Sequence, residues 1–173
     1  FSEFSSPAFV QRLEAGIYKG HCFYTMNCLT NANLARRITR NAPFSELESS
    51  YILRAVGKSL ELAFMKTGQP HLNLKPSNVL FTGDDDIVIS DFGLSPWYFK
   101  YVCGGITIGS PYYASPEQIA GRPANWHSDV YSLGIIFFQM LTGSLPFNDQ
   151  DEKKVLKMHI EEAFPTVSAM NPN

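Results

Sequence analysis

Apolar positions change rhythm several times along this chain. Residues 9–28, FVQRLEAGIYKGHCFYTMNC, hold two β-prone segments on either side of Tyr18-Lys19-Gly20-His21, which predicts a hairpin. Residues 31–40, NANLARRITR, predict a short helix opened by asparagine. A longer helix is predicted over 46–67. Ser45 and Glu48 have capping-box spacing, and Leu53, Val56, Leu60 and Phe64 recur at the helical period. Gly68 and Pro70 end the pattern.

Beyond residue 70 the segments shorten. NVLF and IVIS read as two short strands around the acidic turn TGDDD. Residues 93–116 lose all periodicity and concentrate glycine, proline and aromatic side chains. Such a loop is usually functional, although the aromatics serve equally well as core filler. Ser128 and Asp129 precede VYSLGIIFFQMLTG, which is apolar nearly all round and long enough to favour a central buried helix over a core strand. DEKKVLKMHIEEAF predicts one more amphipathic helix, and PTVSAMNPN a polar, loose tail.

Composition narrows the classes. The 173 residues are 45% hydrophobic, enough for one substantial core. A net charge of -2 offers no basic field for nucleic acid. Charged residues are only 17%, which suggests apolar surface covered by something else. Cys22, Cys28 and Cys103 form no metal-like cluster and fit a reducing compartment such as the cytoplasm. The start FSEFSSPAFV lacks the form of a signal peptide. The apolar run LGIIFFQML, interrupted by Gln139, is far too short to cross a bilayer. Asp84, Asp85 and Asp86 lack the spaced ligands of a calcium loop and read as a solvated turn.

The candidate chemistry begins in PHLNLKPSNVLF, residues 70–81. A loop after the long helix presents Asn73, Lys75 and Asn78, and the second strand ends in SDFG with Asp91. Lys75 is a compact cation suited to phosphate. Asn78 and Asp91 carry the hard oxygen donors that Mg²⁺ prefers. Gly93 permits a sharp turn after the acid.

LKPSN followed by DFG, then GSPYYASPE, then HSDVYSLGIIFFQMLTGSLPF, resembles the C-terminal lobe of eukaryotic-like Ser/Thr protein kinases, in wording closest to bacterial members. The resemblance runs from about residue 22 to about residue 160. It implies an α+β protein-kinase-like fold, with a mainly helical C-terminal lobe and a few short strands. The end of the N-lobe and the hinge would lie at about 9–30 and the C-lobe at 31–173, stopping before the last helices. It also implies transfer of the ATP γ-phosphate to protein hydroxyls with Mg²⁺.

The resemblance assigns roles position by position. Met26 matches the gatekeeper, with Asn27, Cys28 and Leu29 as the hinge that meets adenine. His71 and Phe92 match packing residues, Gly93 completes the triplet, Lys75 would touch the transferred phosphate, and Asn78 and Asp91 would hold metal. Glu117 would pair with a later arginine, and Asp129 would accept backbone hydrogen bonds from the catalytic loop. Three features depart from the family pattern. Asn73 stands at the substrate-orienting Asp position, Leu72 replaces the Arg before it, and neither a Gly-rich loop nor a strand-borne Lys is found.

Asn73 admits an inactivated pseudokinase, a trapping substitution or a slow kinase. Leu72 beside it favours natural divergence. The implied function is therefore a catalytically impaired kinase-like domain that binds ATP weakly in this piece. The rival is a non-catalytic scaffold that docks a protein partner through Trp97, Tyr98, Phe99 and Tyr101. Stopping before the last helices would leave one flank of Leu133–Leu141 exposed and promote self-association.

Overall fold

A computed structural model describes residues 6–19, 21–29, 31–92 and 110–171. The architecture is α+β, with two small antiparallel sheets followed by a helical C-terminal portion. Strands β1 (Arg12–Tyr18) and β2 (His21–Met26) form the hairpin, in register from Tyr18↔His21, with Lys19 in the left-handed region at the turn. Helix α1 (Leu34–Asn41) starts on Asn33, whose side chain accepts from the Arg36 N–H. Helix α2 (Glu46–Thr67) starts on Ser45, which accepts from the Glu48 N–H, and stops at left-handed Gly68.

The buried stripe of α2 differs from the predicted one. Ser49, Ile52, Val56, Ser59 and Ala63 are buried, whereas Leu53, Leu60 and Phe64 lie half-buried on its flank. The large side chains mark the right side of the helix about one position off. The buried stripe mixes small and branched residues, and α2 packs against both the central helix and β4.

Strands β3 (Val79–Phe81) and β4 (Ile87–Ile89) pair across the acidic turn. The Thr82 hydroxyl accepts from the Asp86 N–H, and Asp85 pairs with Arg37 of α1. The chain before the hairpin adds a parallel bridge between Phe9 and Ile89. Val10 N–H donates to the Ile89 carbonyl and Ile89 N–H to the Ala8 carbonyl, both at 2.9 Å.

Helix α3 (Pro116–Ile119) is opened by a reciprocal Ser115–Gln118 capping box. The central helix α4 (Trp126–Thr142) begins on Asn125, earlier than the apolar run suggests, so Ser128 and Asp129 sit in its first turn. Both are polar, yet both are buried. Gln139 interrupts the apolar run because it accepts the Tyr113 hydroxyl at 2.8 Å. Helix α5 (Glu152–Glu161) follows, and the tail forms a further short helix, α6 (Val167–Met170).

Two expectations change here. The tail is not loose: α6 packs on α4, and Asn171 donates to the Leu141 carbonyl at 2.8 Å. Nor is a flank of Leu133–Leu141 left open. Only Gly134 in that run is exposed, and Phe164 covers Phe138 with ring centroids 5.3 Å apart. The self-association that such a flank would drive therefore loses its basis.

Gly134 offers a clean test of the central helix. A Cβ built there meets nothing within 4 Å. Gly134→Ala should raise stability by about 0.7 kcal/mol by reducing the conformational freedom of the unfolded chain. Urea unfolding that shows destabilisation instead would mean that this face is in contact with something.

Buried His159 on α5 gives the fold a pH dependence. Its ring lies 4.9 Å from Phe147, and its Nδ1 lies 2.6 Å from the Tyr131 hydroxyl. Burial outweighs the nearby backbone of Pro111 and Tyr112 and pulls the imidazole down to about 4. The unfolded chain therefore takes up a proton near the ordinary histidine value, while the folded chain resists until far lower. Stability is complete above that ordinary value and falls with pH through the window down to about 4. Lowering the pH from 8 to 5 should remove about 2 kcal/mol. Urea unfolding of wild type and His159→Gln would show it, with the variant's profile flatter over that window.

Candidate active site

The loop after α2 is fixed from below by α4. Asp129 carries one oxygen to each of two consecutive amides. Its Oδ2 accepts from the His71 N–H and its Oδ1 from the Leu72 N–H, both at 2.7 Å. Burial raises the pKa of this carboxyl, against the opposing hydrogen bonds from the His71 and Leu72 amides. Leu72 lies in the left-handed region at φ 61°, where a branched side chain is costly. Its carbonyl accepts from Gln118 Nε2 at 3.0 Å, so both sides of the strained residue are tied.

His71 is fully buried and joins the loop to the end of β4. Its Nδ1 accepts from the Asn73 N–H at 3.2 Å, and its Nε2 lies 2.9 Å from the Ser90 carbonyl. A backbone N–H needs an acceptor, so Nδ1 is unprotonated and Nε2–H donates to Ser90. Phe92 packs between this imidazole and Phe9, at ring-centroid distances of 6.2 and 4.9 Å.

Asn73 and Asn78 are coupled directly. Asn78 Nδ2 donates to the Asn73 carbonyl at 3.0 Å. That bond fixes the orientation of the Asn78 amide and turns its oxygen elsewhere, with Ser77 Oγ 3.5 Å from it. Asn78 is buried and also bonds through its backbone, with its N–H to the Lys75 carbonyl and its carbonyl to the Ser90 N–H. Lys75 is half-buried just before the 3₁₀ turn Pro76–Asn78, and its ammonium makes no ion pair with a described residue.

Asp91 follows β4 with φ 65°, a conformation that aspartate tolerates. Its Oδ1 accepts a hydrogen bond from the Tyr24 hydroxyl of β2. Hydrogen bonds thus join His71, Asn73, Asn78 and Asp129 into one network, Phe92 packs on its imidazole, and Asp91 follows Ser90, whose backbone is bonded to both His71 and Asn78. Gly93, Cys103 and the aromatic cluster at 97–101 lie outside the described residues.

The hinge candidates lie at the end of β2 and just beyond it. Met26 ends β2 half-exposed, Asn27 and Cys28 are exposed and Leu29 is half-buried on the way to α1. Glu117 accepts from the Ser128 hydroxyl. Burial pushes its pKa up, but Ser128, its own backbone, Ser115 and Arg122 together hold it below the usual carboxylate value.

Sequence reasoning misses Tyr24, Ser90 and Gln118. Tyr24 leaves one faint signal, its place two residues before Met26 on the same face of a strand. Ser90 acts through its backbone carbonyl, to which side-chain chemistry gives no clue.

The protein kinase domain profile matches residues 1–172. The chain belongs to the protein kinase domain family. Within that family it is 30% identical over 173 residues to the probable serine/threonine-protein kinase PknB of Lactococcus lactis, covering 99% of this chain and 27% of the relative. It is 30% identical over 168 residues to the serine/threonine-protein kinase PknE of Mycobacterium tuberculosis, covering 96% and 29%. It is 27% identical over 174 residues to the serine/threonine-protein kinase PrkC of Bacillus subtilis, covering 99% and 27%. This kinase-family chain thus spans less than a third of the length of each of these relatives. Among its described residues no helix is long and apolar enough to cross a membrane.

Proposed function

We propose that this chain is part of a kinase-like domain whose transfer of phosphate to protein hydroxyls is severely impaired, acting in the cytoplasm. The end of the N-lobe and the hinge would occupy about 9–30 and the C-lobe 31–173. The observation that carries the reading is a loop frame held on every side while an amide occupies its reactive position. Asp129 and Gln118 tie Leu72, His71 ties Asn73 to Ser90, and Asn78 ties down the Asn73 carbonyl. A family loop is kept in place, but Asn73 offers an amide that cannot take up a proton as a carboxylate does.

The residues fit a magnesium nucleotide by donor chemistry. Asn78 Oδ1 and the Asp91 carboxylate are hard oxygen donors, and the Asn78 amide is already turned with its nitrogen committed elsewhere. Asn78 and Asp91 would hold the metal and Lys75 would meet the phosphate. Met26, Asn27, Cys28 and Leu29 would line the adenine side. When bound, Mg²⁺ supplies charge neutralisation across the phosphates. His71, Phe92, Glu117 and Asp129 hold the frame rather than touch a substrate. The partners of this reading are ATP and a protein carrying hydroxyl side chains.

The test is a radiolabelled ATP assay on generic protein substrates, in a protein that supplies a complete nucleotide lobe. Trace transfer that disappears in Asp91→Ala is expected. Robust transfer with Asn73 in place, abolished by Asp91→Ala, would sink the impairment.

A further inference from the structure

Helix α1 carries Arg36, Arg37 and Arg40 and no acidic residue. The three arginines are not equivalent. Arg37 serves the fold: its Cζ lies 3.4 Å from the centroid of the Phe81 ring, and it pairs with Asp85 of the acidic turn. Arg36 and Arg40 are exposed, and neither makes an ion pair with a described residue.

Helix geometry sets where these two charges stand. Leu34 and Ile38 form the buried face of α1, which packs on the 3₁₀ turn Pro76–Asn78 and on β3. Two residues further along is about 200° round an α-helix, so Arg36 and Arg40 lie opposite that face. They are one turn apart, with Cβ atoms within about 6 Å of each other. With Asn33, Ala35 and Thr39 they line an open depression of about 450 Å³. The polar neighbours are already engaged. Asn33 Oδ1 accepts from the Arg36 N–H, and the Thr39 hydroxyl donates to the Ala35 carbonyl, both at 3.0 Å. The charges lining the depression are therefore two guanidiniums, each a planar fork that matches a carboxylate. They form a local cationic surplus on a chain of net charge -2.

We propose that the outer face of α1 docks an acidic segment of the protein substrate, with its carboxylates on Arg36 and Arg40. That the partner is a substrate rests on the kinase-like reading above. Position supports it: α1 follows the hinge candidates and packs on the turn that ends in Asn78. The helix is about 10 Å thick, so the acidic segment lies away from the hydroxyl that reacts. Its role is to raise the local concentration of that hydroxyl, not to take part in transfer. A symmetric contact with a second copy would set arginine against arginine, which disfavours that occupant.

The probe is a short fluorescein-labelled peptide with one serine among aspartates and glutamates, followed by anisotropy at low salt without nucleotide or metal. Wild type should bind it, lose it as salt rises, and ignore the same peptide with asparagine and glutamine for the acids. Arg36→Glu with Arg40→Glu should weaken binding about tenfold. Arg54→Glu with Lys58→Glu makes the same charge change at the same spacing on exposed positions of α2, and should weaken it less than about twofold. Equal losses in the two pairs would reveal a response to net charge alone and overturn the docking. So would equal binding of the amide peptide, or no binding of the acidic one. Should the glutamate pair on α1 fail to fold, Arg36→Gln with Arg40→Gln decides on the same criteria, with a loss of about fivefold expected. Peptide binding needs no nucleotide, so it is read apart from the transfer assay. Binding that depends on α1 without any Asp91-dependent transfer would remove the kinase-like reading and the substrate with it. Absent binding beside Asp91-dependent transfer would remove the docking alone.

Discussion

Asn73→Asp should raise the rate of phosphoryl transfer about 100-fold when a complete nucleotide lobe is supplied. The backbone of Asn73 is fixed on both sides, with its N–H on His71 Nδ1 and its carbonyl under Asn78 Nδ2. Exchange of amide for carboxylate therefore changes one group and leaves its position alone. Positioned general bases contribute roughly 10²–10⁴-fold. The lower end is expected because phosphoryl transfer depends more on positioning and charge neutralisation than on a strong base. Nucleotide affinity should change less than about twofold, since Asn78 and Asp91 are untouched. Calorimetry with Mg·ATP and a transfer assay on the same pair of proteins separate the two quantities. If transfer stays flat in Asn73→Asp while Asp91→Ala abolishes what little there is, the amide is not what silences the site.

Much of the frame around that loop is legible in the amino-acid sequence. The hairpin, α1, α2 and both short strands are visible because their signals are local: an asparagine or serine cap, a glycine stop, an apolar run between turn residues. Errors arise where a distant neighbour decides. Ser49, Ser59 and Ala63 are buried in α2, which packs against the central helix and β4, and no property of serine announces that. The helical tail is ordered by Asn171 reaching Leu141, and Phe164 covers Phe138, both contacts made across the fold. Asn73, Asn78 and Asp91 are legible as candidates from side-chain type and spacing. Tyr24 is not, because its contact with Asp91 joins the hairpin to the segment after β4. The Ser128 hydroxyl that meets Glu117 comes from the first turn of α4, again a contact that local sequence does not show.

Asp129→Ala should destabilise the protein by about 3 kcal/mol. Asp129 is only 4% exposed, and its two oxygens are the acceptors for two consecutive amides. An unsatisfied buried donor costs about 1–3 kcal/mol, and alanine leaves two of them. Loss of a carboxylate from the first turn of α4 adds a few tenths of a kcal/mol through the helix dipole. Against this, burial disfavours the charge, as the raised pKa of the group shows, and alanine removes that cost. The total therefore falls in the lower half of the roughly 2–6 kcal/mol that two such donors span. Asp129→Asn keeps one acceptor oxygen and should cost about half as much. A local readout separates the clamp from general packing. Leu72 holds a left-handed backbone only because Asp129 and Gln118 tie it, so in Asp129→Ala it should relax toward an ordinary φ. Hydrogen exchange at the His71 and Leu72 amides should then accelerate well beyond what global unfolding explains, while α5 amides follow global stability alone. A loss below about 1 kcal/mol with those two amides still protected would show that the loop is held by Gln118 and His71, and that Asp129 merely fills its space.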